Sequence, residues 1–382
     1  MIGYYAHHRG AGHLHRAMSI AHELGDEVTI LSSSPRPAAW TGGWVDLPLD
    51  HSPHDRDADA DATAHDALHW APLGSDGLRE RMGLIAEWLR RETPSAVVVD
   101  VSVEVALLVR LHGIPVISIA QPGDRADAPH SLGYRASSAI VAVWPPDIAA
   151  LTVADDVAPR IEPVGAISRI ATVDSLPRVA GQIAVLAGLG TRGVSALDAA
   201  VAEARRALPD ADWVVLSGAD SATVAHTLRT SALVIAHCGE NALAEIAASR
   251  VPAIILPEDR PHDEQHAMGR ALAASDMPVA IVDPTVDASP VDWARLVRET
   301  AALDGEAWSV WCDGGAAARA AAIVRRVARP VGAGDAGDAD DAPASPPPDT
   351  APSPARDAGT APSPALDPGT PPSPALPRTD AA

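Results

Sequence analysis

Phenylalanine and lysine are both absent from the 382 residues of this chain, and aromatic residues make up only 3% of it. A globular core must therefore be built from valine, leucine, isoleucine and alanine, and a hydrophobic share of 47% is enough for a large one. Because lysine is absent, all 29 basic residues are arginine. Together with the abundance of alanine and proline, this indicates the coding bias of a G+C-rich genome.

Cysteine is almost absent too: Cys238 and Cys312 are the two in the chain, which excludes a disulfide framework and a cysteine-based zinc site. No apolar run approaches the roughly 18 residues that a membrane-spanning helix needs. No basic and apolar signal segment precedes the first predicted strand. We therefore expect a soluble, cytoplasmic protein. The net charge of −21 argues against general nucleic-acid binding and long-range attraction to anionic lipid.

Strand-like runs alternate with amphipathic helices through the first 330 residues, which predicts an α/β protein with parallel sheets. Two similar halves are expected, 1–165 and 166–330, joined by a polar linker that runs to Arg178. From Val331 onward the chain is rich in proline and alanine and contains a ten-residue repeat. Such a segment cannot bury enough surface to offset its chain entropy, so the tail 331–382 is predicted to be disordered.

The most informative segment is 235–265, which predicts a buried strand, a tight turn ending at Gly239 and a short helix opening with Glu240 and Asn241. The first turn of a helix has free N–H groups and the positive end of the dipole, so it suits a phosphate. Gly239 lets a phosphate approach the backbone. Glu245 shares a helix face with Asn241, and its carboxylate can accept hydrogen bonds from ribose hydroxyls.

This segment contains an H-C-G-x-N run, a later V-P and a final acidic–glutamine pair. With these features it resembles the donor-binding signature of family 1 glycosyltransferases. It is also similar to the matching segment of MurG-type family 28 enzymes. The resemblance implies the GT-B architecture, two Rossmann-like domains facing across a cleft. It implies His237 and Asn241 near the phosphates, Glu245 on the ribose, and Glu264 and Gln265 on the sugar hydroxyls. In that fold the last helix crosses back onto the first domain, and the candidate here is Ala316–Ala328.

Three positions depart from the family pattern. Glu240 stands where the plant enzymes have tryptophan, Ala242 replaces a phosphate-binding serine, and the spacing from Pro257 to Gln265 is longer. An acid at the helix start suits the dipole but repels a diphosphate, so we expect Glu240 to point away from it. The alternative for the whole segment is an ordinary βαβ crossover with a polar helix start.

A second constellation follows the first strand, where Gly10 and Gly12 form a tight turn and place His13 at the start of a helix. This G-x-G-H turn resembles the acceptor-side motif of GT-B enzymes, whose histidine is the general base in family 1. Histidine suits that task because its pKa lies near the working pH. Asp100 ends a V-V-V-D strand in a stretch similar to the family segment that supplies an aspartate partner, so the resemblance implies that Asp100 orients His13. The alternative for His13 is a helix N-terminal residue bonded to a nearby carbonyl.

The equivalent turn of the second half, 188–193, is expected to place Gly190 and Thr191 near the diphosphate, and Arg169 in the linker is a further candidate phosphate contact. The chain has no D-x-D motif in a convincing context, so we expect no metal and no cofactor. His65 and His69 have the spacing of metal ligands if their segment is helical. No matching second pair supports such a site.

The leading hypothesis is an inverting transfer of a hexose from a nucleoside-diphosphate sugar, with UDP the commonest choice in the family, to a hydroxyl of a small-molecule or lipid-linked acceptor. A second hypothesis is hydrolysis, because G-A-G-H-L-H-R-A also resembles the first turn of nucleotide-sugar hydrolases from pseudaminic acid synthesis. A third is a non-catalytic nucleotide-sugar-binding protein, which the changes at 240 and 242 favour. Peripheral membrane contact would need an exposed apolar patch that the sequence does not locate.

Overall fold

The structure is a computed structural model that describes residues 1–329 apart from 9, 26, 52–60, 173–175, 188–195 and 287–288. The tail that the sequence predicts to be disordered, and the turn with Gly190 and Thr191, lie outside the described residues. No helix among the described residues combines the length and the apolar character that a bilayer crossing requires.

The first half of the chain forms a parallel sheet covered by helices. Its strands are β1 (Ile2–Ala6), β2 (Val28–Ser32), β3 (Gly43–Asp46), β4 (Ala96–Asp100), β5 (Val116–Ile119), β6 (Gly123–Asp124), β7 (Ala139–Ala142), β8 (Leu151–Thr152) and β9 (Ile161–Pro163). Its helices are α1 (Ala11–Leu24), α2 (Asp76–Glu92), α3 (Val103–Leu111) and α4 (Ala128–Ala136). Seven strands pair in the order β3-β2-β1-β4-β5-β7-β9, while β6 and β8 pair separately. The central strands are buried along their whole length, as expected of a parallel sheet covered on both faces.

The second half repeats the plan with a smaller parallel sheet. Its strands are β10 (Val179–Leu186), β11 (Asp212–Leu216), β12 (Ser231–His237), β13 (Ala253–Leu256) and β14 (Val279–Ile281). Its helices are α5 (Ala196–Ala207), α6 (Ser221–Thr230), α7 (Glu240–Ala248), α8 (Glu264–Ala273), α9 (Trp293–Ala301) and α10 (Ala316–Val327). The five strands pair in the order β11-β10-β12-β13-β14.

Strand order reverses once in each sheet, between β1 and β4 in the first and between β10 and β12 in the second. In open parallel sheets, ligands bind in the crevice outside the carboxyl ends of the strands at such a switch point. The turn at Gly10 leaves β1 and leads into α1, whose second residue is Gly12, and the turn at Gly239 leaves β12. The topology therefore puts both predicted motifs at switch points.

Side-chain caps explain why several helices begin where they do. Ser75 accepts the N–H of Leu78 at the start of α2, and Ser102 accepts that of Val105 at the start of α3. At the start of α6, Asp220 accepts two N–H groups. These contacts satisfy donors that a helix cannot satisfy internally.

Six strands and helices, including the two-residue strands β6 and β8, are absent from the predictions because their local signals are weak. Strand β3 is a half-exposed edge strand, so it lacks the apolar run that marks the central strands. Helix α4 contains Pro129 and Gly133, both poor helix formers. Helix α8 opens with the acidic–glutamine pair that was interpreted as part of the donor motif, and β14 is only three residues long.

One apolar cluster runs through both sheets and includes the last helix. Helix α10 packs against α1 and against strands β4 and β7 of the first sheet. Trp308 and Trp311 are both buried, stack edge to face with ring centroids 5.9 Å apart, and lie just before α10. The indole N–H of Trp308 donates to the carbonyl of Val251 at 2.8 Å. These rings act as packing residues between α7 and the final helix.

Candidate active site

His13 and Asp100 meet at the switch point of the first sheet. Asp100 is the last residue of β4 and lies in register with Ala6 at the end of β1. Gly10 has φ 92, in the left-handed region that favours glycine, and this lets the chain turn from β1 into α1. His13 in the first turn of α1 then places its Nδ1 2.9 Å from Oδ1 of Asp100.

Arg16 is a site residue that the sequence analysis missed. Its Nε donates to Oδ2 of Asp100 at 2.8 Å and its Nη2 to Oδ1 at 3.0 Å, while the hydroxyl of Tyr4 donates to Oδ2 at 3.2 Å. A visible signal existed: Arg16 lies three residues after His13 and therefore shares its helix face, beside buried Ala17. Only the fold shows that this face meets Asp100.

These contacts set the charge of the aspartate. Asp100 is completely buried, and burial alone would raise its pKa. Arg16, and after it His13, outweigh burial and lower the pKa of Asp100 below its usual value. Asp100 is therefore an ionised acceptor at neutral pH. With Nδ1–H of His13 donating to it, the Nε2 lone pair of the ring is left to accept a proton.

The start of α7 packs directly against this cluster. The side-chain amide of Asn241 fills the space that a Cβ at Gly12 would need. Nη1 of Arg16 contacts Oε2 of Glu240 at 3.4 Å. Glu240 is thus turned toward α1, and its Oε1 is buried with no hydrogen-bond partner among the described residues. The two switch points touch through Gly12, Arg16, Glu240 and Asn241.

Burial raises the pKa of Glu240 to about 7, since the effect of Arg16, which lowers it, is smaller and Glu264 raises it further. The carboxyl group at the start of α7 is then about half protonated at neutral pH. A neutral Glu240 removes most of the repulsion that an acid at this position exerts on a diphosphate. This offsets the departure from the family pattern at this position.

His237 and Gly239 form a compact turn before α7. The N–H of Gly239 donates to Nδ1 of His237 at 3.2 Å, so this N–H is already used. Burial lowers the pKa of His237. The neutral ring therefore carries its proton on Nε2, where it is a donor. A Cβ at Gly239 would collide with the His237 ring, which gives this glycine a packing role besides leaving the helix start open.

Gln265 stabilises the same turn through hydrogen bonds to backbone N–H groups. Its Oε1 accepts the N–H of Cys238 and that of Glu258, each at 3.1 Å, and the residue is buried. The Nε2 group of Gln265 remains as the part that can donate to a sugar hydroxyl. Glu264 is more accessible, and its Oε2 lies 3.4 Å from Nη2 of Arg125 in the first half.

Glu245 and Arg169 form an ion pair with 2.5 Å between Nε and Oε1. The expected phosphate contact, Arg169, is thus engaged by the expected ribose ligand, and Glu245 is buried. Arg169 also lines a cavity of about 610 Å³ with His15 and His22 of α1, whereas Glu245 is not among the lining residues. This cavity lies away from His13 and Asp100, which do not line it.

His65 and His69 do not lie on successive turns of a helix, so their spacing is not that of a ligand pair. The segment is made of turns, with positive φ at Ala64 and His65. His65 is exposed and pairs with Asp61, whereas His69 reaches α4 and contacts Asp127 at 2.7 Å. His69 therefore belongs to a different cluster from His65.

No protein-family model matches this chain, and no match was found among curated proteins. Solved structures do match it. The glycotransferase of kitacinnamycin has TM-score 0.58 at 17% identity, covering 86% of this chain and 99% of that one. Spinosyn rhamnosyltransferase SpnG complexed with thymidine diphosphate has TM-score 0.59 at 19% identity, covering 86% and 100%. MurG of Acinetobacter baumannii has TM-score 0.54 at 15% identity, covering 85% and 99%.

The fold is GT-B. At identities below 20% these likenesses establish the architecture, whereas an activity has to be argued from the site itself. In this GT-B chain the two switch points are in contact, and a histidine–aspartate pair lies on the first side of that contact. The start of a helix with no side-chain cap lies on the second side.

Proposed function

We propose that this GT-B protein is an inverting glycosyltransferase that moves a hexose from a nucleoside-diphosphate sugar to a hydroxyl acceptor. The observation that carries the proposal is the contact between the His13–Asp100 pair and the start of α7 through Gly12 and Asn241. A base next to a helix start that suits a phosphate is what glycosyl transfer requires, since the acceptor must meet the anomeric carbon beside the leaving phosphate.

In the proposed reaction, Nε2 of His13 removes the proton of the acceptor hydroxyl as that oxygen attacks the anomeric carbon. The bond between this carbon and the phosphate oxygen breaks on the opposite face, so the configuration inverts and the nucleoside diphosphate leaves. Asp100 holds the ring by Nδ1 and stabilises the imidazolium that forms. Arg16 and Tyr4 keep Asp100 ionised and fixed.

Negative charge develops on the leaving diphosphate, and two sets of donors near the turn suit it. The free N–H groups of the first turn of α7 carry the positive end of the helix dipole, and Gly239 provides no side chain that would cap them. Nε2–H of His237 is a further donor. In this proposal no metal ion takes part in making or breaking the bonds, and no cofactor is needed.

The experiment is a donor screen with purified protein. UDP-, dTDP- and GDP-hexoses are incubated with and without a panel of hydroxyl acceptors, and release of free nucleoside diphosphate is measured. We expect release that depends on acceptor, and His13→Ala should lower kcat by about 10²–10⁴-fold. The matched control is His226→Ala, an exposed histidine on α6, which should retain the wild-type rate.

Two outcomes would redirect the proposal. Release at the same rate without acceptor would establish the hydrolase alternative, in which water takes the acceptor's place. Tight calorimetric binding of a nucleoside diphosphate with no turnover of any donor would establish the non-catalytic alternative. A His13→Ala variant with full turnover would remove the base assignment.

A further inference from the structure

A second cluster of ionisable side chains lies apart from His13 and Asp100. It consists of His69, Asp127, His130 and His262, and one potential ligand atom of each lies within 4.8 Å of those of the other three. Ring centroids are 4.1 Å apart for His69 and His130, 4.8 Å for His130 and His262, and 5.4 Å for His69 and His262. The proposed glycosyl transfer makes no use of any of the four residues.

Asp127 is the centre of the cluster. It precedes the first turn of α4, and its two oxygens accept from two different rings. Oδ2 lies 2.7 Å from Nε2 of His69, and Oδ1 lies 2.5 Å from Nδ1 of His130. Two imidazoles therefore converge on one carboxylate, with a third ring closing the group.

The backbone around the cluster holds two of these rings in place. The N–H of His69 donates to Oε1 of Glu104 at 2.8 Å. His262 has φ 61, an uncommon conformation for a residue with a side chain. The carbonyl of His262 lies so close to Gly123 that a Cβ there would collide with it. His262, from the second half, is in this way fixed against residues of the first.

We propose that His69, Asp127, His130 and His262 bind a divalent transition-metal cation, with Zn²⁺ the best match. Three imidazole nitrogens and one carboxylate oxygen are a typical four-coordinate zinc set. The cation would replace the protons that Asp127 now shares with His69 and His130. In a tetrahedral site with bonds of about 2.1 Å, ligand atoms lie roughly 3.4 Å apart, so modest ring rotations complete the site.

The charges around the cluster favour a cation over an anion. Arg125 is the nearest basic residue, with Nη1 3.3 Å from Nε2 of His130. Its charge is opposed by Glu264, and its Nε donates to the carbonyl of Pro122. Asp127 lies between the rings, where it would repel a phosphate or a carboxylate. Two carboxylates, those of Asp127 and Glu264, thus face the single guanidinium of Arg125, and this balance favours a dication over an anion.

Bound metal would join the two halves of the fold. His69, Asp127 and His130 come from the first half, and His262 comes from the segment between β13 and α8 that leads directly into Glu264. A metal bond to His262 would fix the start of α8 relative to α4. The inferred role is a structural clamp, and it does not depend on the proposed glycosyl transfer.

The test uses the full chain after dialysis against EDTA and then a chelator-free buffer. Zn²⁺ is titrated calorimetrically, and Co²⁺ is added separately because tetrahedral Co²⁺ absorbs strongly in the visible. We expect one equivalent of Zn²⁺, a tetrahedral Co²⁺ spectrum and a higher melting temperature with the metal. Removing a residue that only hydrogen-bonds to a metal ligand lowers metal affinity by about 10–100-fold. Removing a ligand itself should therefore lower the affinity for Zn²⁺ by about 100-fold or more.

The ligand variants are His262→Asn, in which asparagine tolerates the positive φ, and Asp127→Asn. His65→Ala in the same loop as His69 is the matched control and should bind as the wild type does. A second group of possible ligands, His7, His8 and Asp50, lies in the first half. If His262→Asn retained wild-type affinity, or if binding were lost in an Asp50→Asn variant instead, the proposed site would be wrong. Absence of binding in the wild type at millimolar Zn²⁺ would overturn it as well.

Discussion

Asn241 occupies the space beside the α-carbon of Gly12 that any side chain at position 12 would need. This contact joins the turn after β1 to the helix that follows β12, so the two switch points of the fold share one boundary. The position of the proposed donor site in the second half therefore depends on Gly12 of the first half, a residue that has no side chain.

Gly12→Ala should disturb that boundary without unfolding the chain. The added Cβ would displace the Asn241 amide, which is the end of an exposed and flexible side chain, so the cost should stay near the lower end of the roughly 1–3 kcal/mol of core overpacking. If this cost falls on the donor-bound state, nucleoside-diphosphate affinity should fall by about 5-fold. Isothermal calorimetry measures this.

The matched control for that prediction is Gly83→Ala. Gly83 lies in the middle of α2, and nothing lies within 4 Å of the Cβ it would gain. This variant should bind nucleotide normally and be slightly more stable, since alanine favours a helix. Equal affinities for Gly12→Ala and the wild type would show that the boundary is not part of the donor site.

Arg16→Ala should destabilise the fold strongly. The substitution would leave the buried Asp100 with only its hydrogen bonds to His13 and Tyr4 among the residues that the structure describes, and it would remove the cationic partner of Glu240. Removing one partner of a buried ion pair costs about 3–5 kcal/mol. The free energy of unfolding in urea should fall by that amount at neutral pH. Arg90→Ala, which removes an exposed pair with Glu87, should cause no measurable change, and a small effect at Arg16 would argue against its anchoring role.

Glu240→Gln should alter how stability depends on pH. The pKa of Glu240 is raised to about 7 from 4.5 in the unfolded chain, first of all by burial. A raised pKa means that the folded state binds the proton more tightly than the unfolded chain does. The contribution of this proton to the free energy of unfolding is therefore complete below pH 4.5 and is lost as pH rises through 7. The glutamine variant lacks this loss and should gain stability relative to the wild type, by up to about 3 kcal/mol above pH 8.

Urea unfolding at pH 5, 6, 7 and 8 measures that difference. Glu258→Gln is a suitable control, because Glu258 is also a partly buried acid of the second half. A constant difference between the Glu240→Gln protein and the wild type across this range would contradict the raised pKa.

Glu245→Gln tests the expected ribose contact. A carboxylate that accepts from ribose hydroxyls should make the wild type prefer UDP to 2′-deoxy-UDP, and the glutamine variant should lose most of that preference. Competition binding with the two nucleotides measures it. Since Arg169 pairs with Glu245, an Arg169→Gln variant is needed beside it. An unchanged preference in Glu245→Gln would mean that Glu245 serves only to hold the linker.

Much of the fold and part of the site are predictable from local pattern. The sequence alone reveals the buried apolar runs of β1, β4 and β12 and the amphipathic pattern of α1, because hydrophobic periodicity is a local property. The pairing of His13 with Asp100 was implied by the family resemblance, and the fold brings them together because α1 follows β1 and Asp100 ends the neighbouring strand β4. The edge strand β3 and helix α4 with its Pro129 are not predictable in this way, since their signals are weak and other elements stabilise them.

Other contacts become visible only in the folded chain. Arg16 was not recognised because its partner Asp100 is 84 residues away. Gln265 was expected at the sugar from the sequence, whereas the hydrogen bond of its carbonyl oxygen to the N–H of Cys238 is visible only in the structure. His69 was considered with His65, whereas its neighbours are Asp127, His130 and His262.

The order of residues alone determined the alternation of strands and helices, the glycine turns and the residue types at the two helix starts, because each rests on interactions within a few positions. The tertiary structure decided which charges are buried together: Arg16 between Asp100 and Glu240, Arg169 on Glu245, and three imidazoles around Asp127. Burial and proximity set ionisation and ligand geometry, and both arise from contacts between segments that are distant in the sequence.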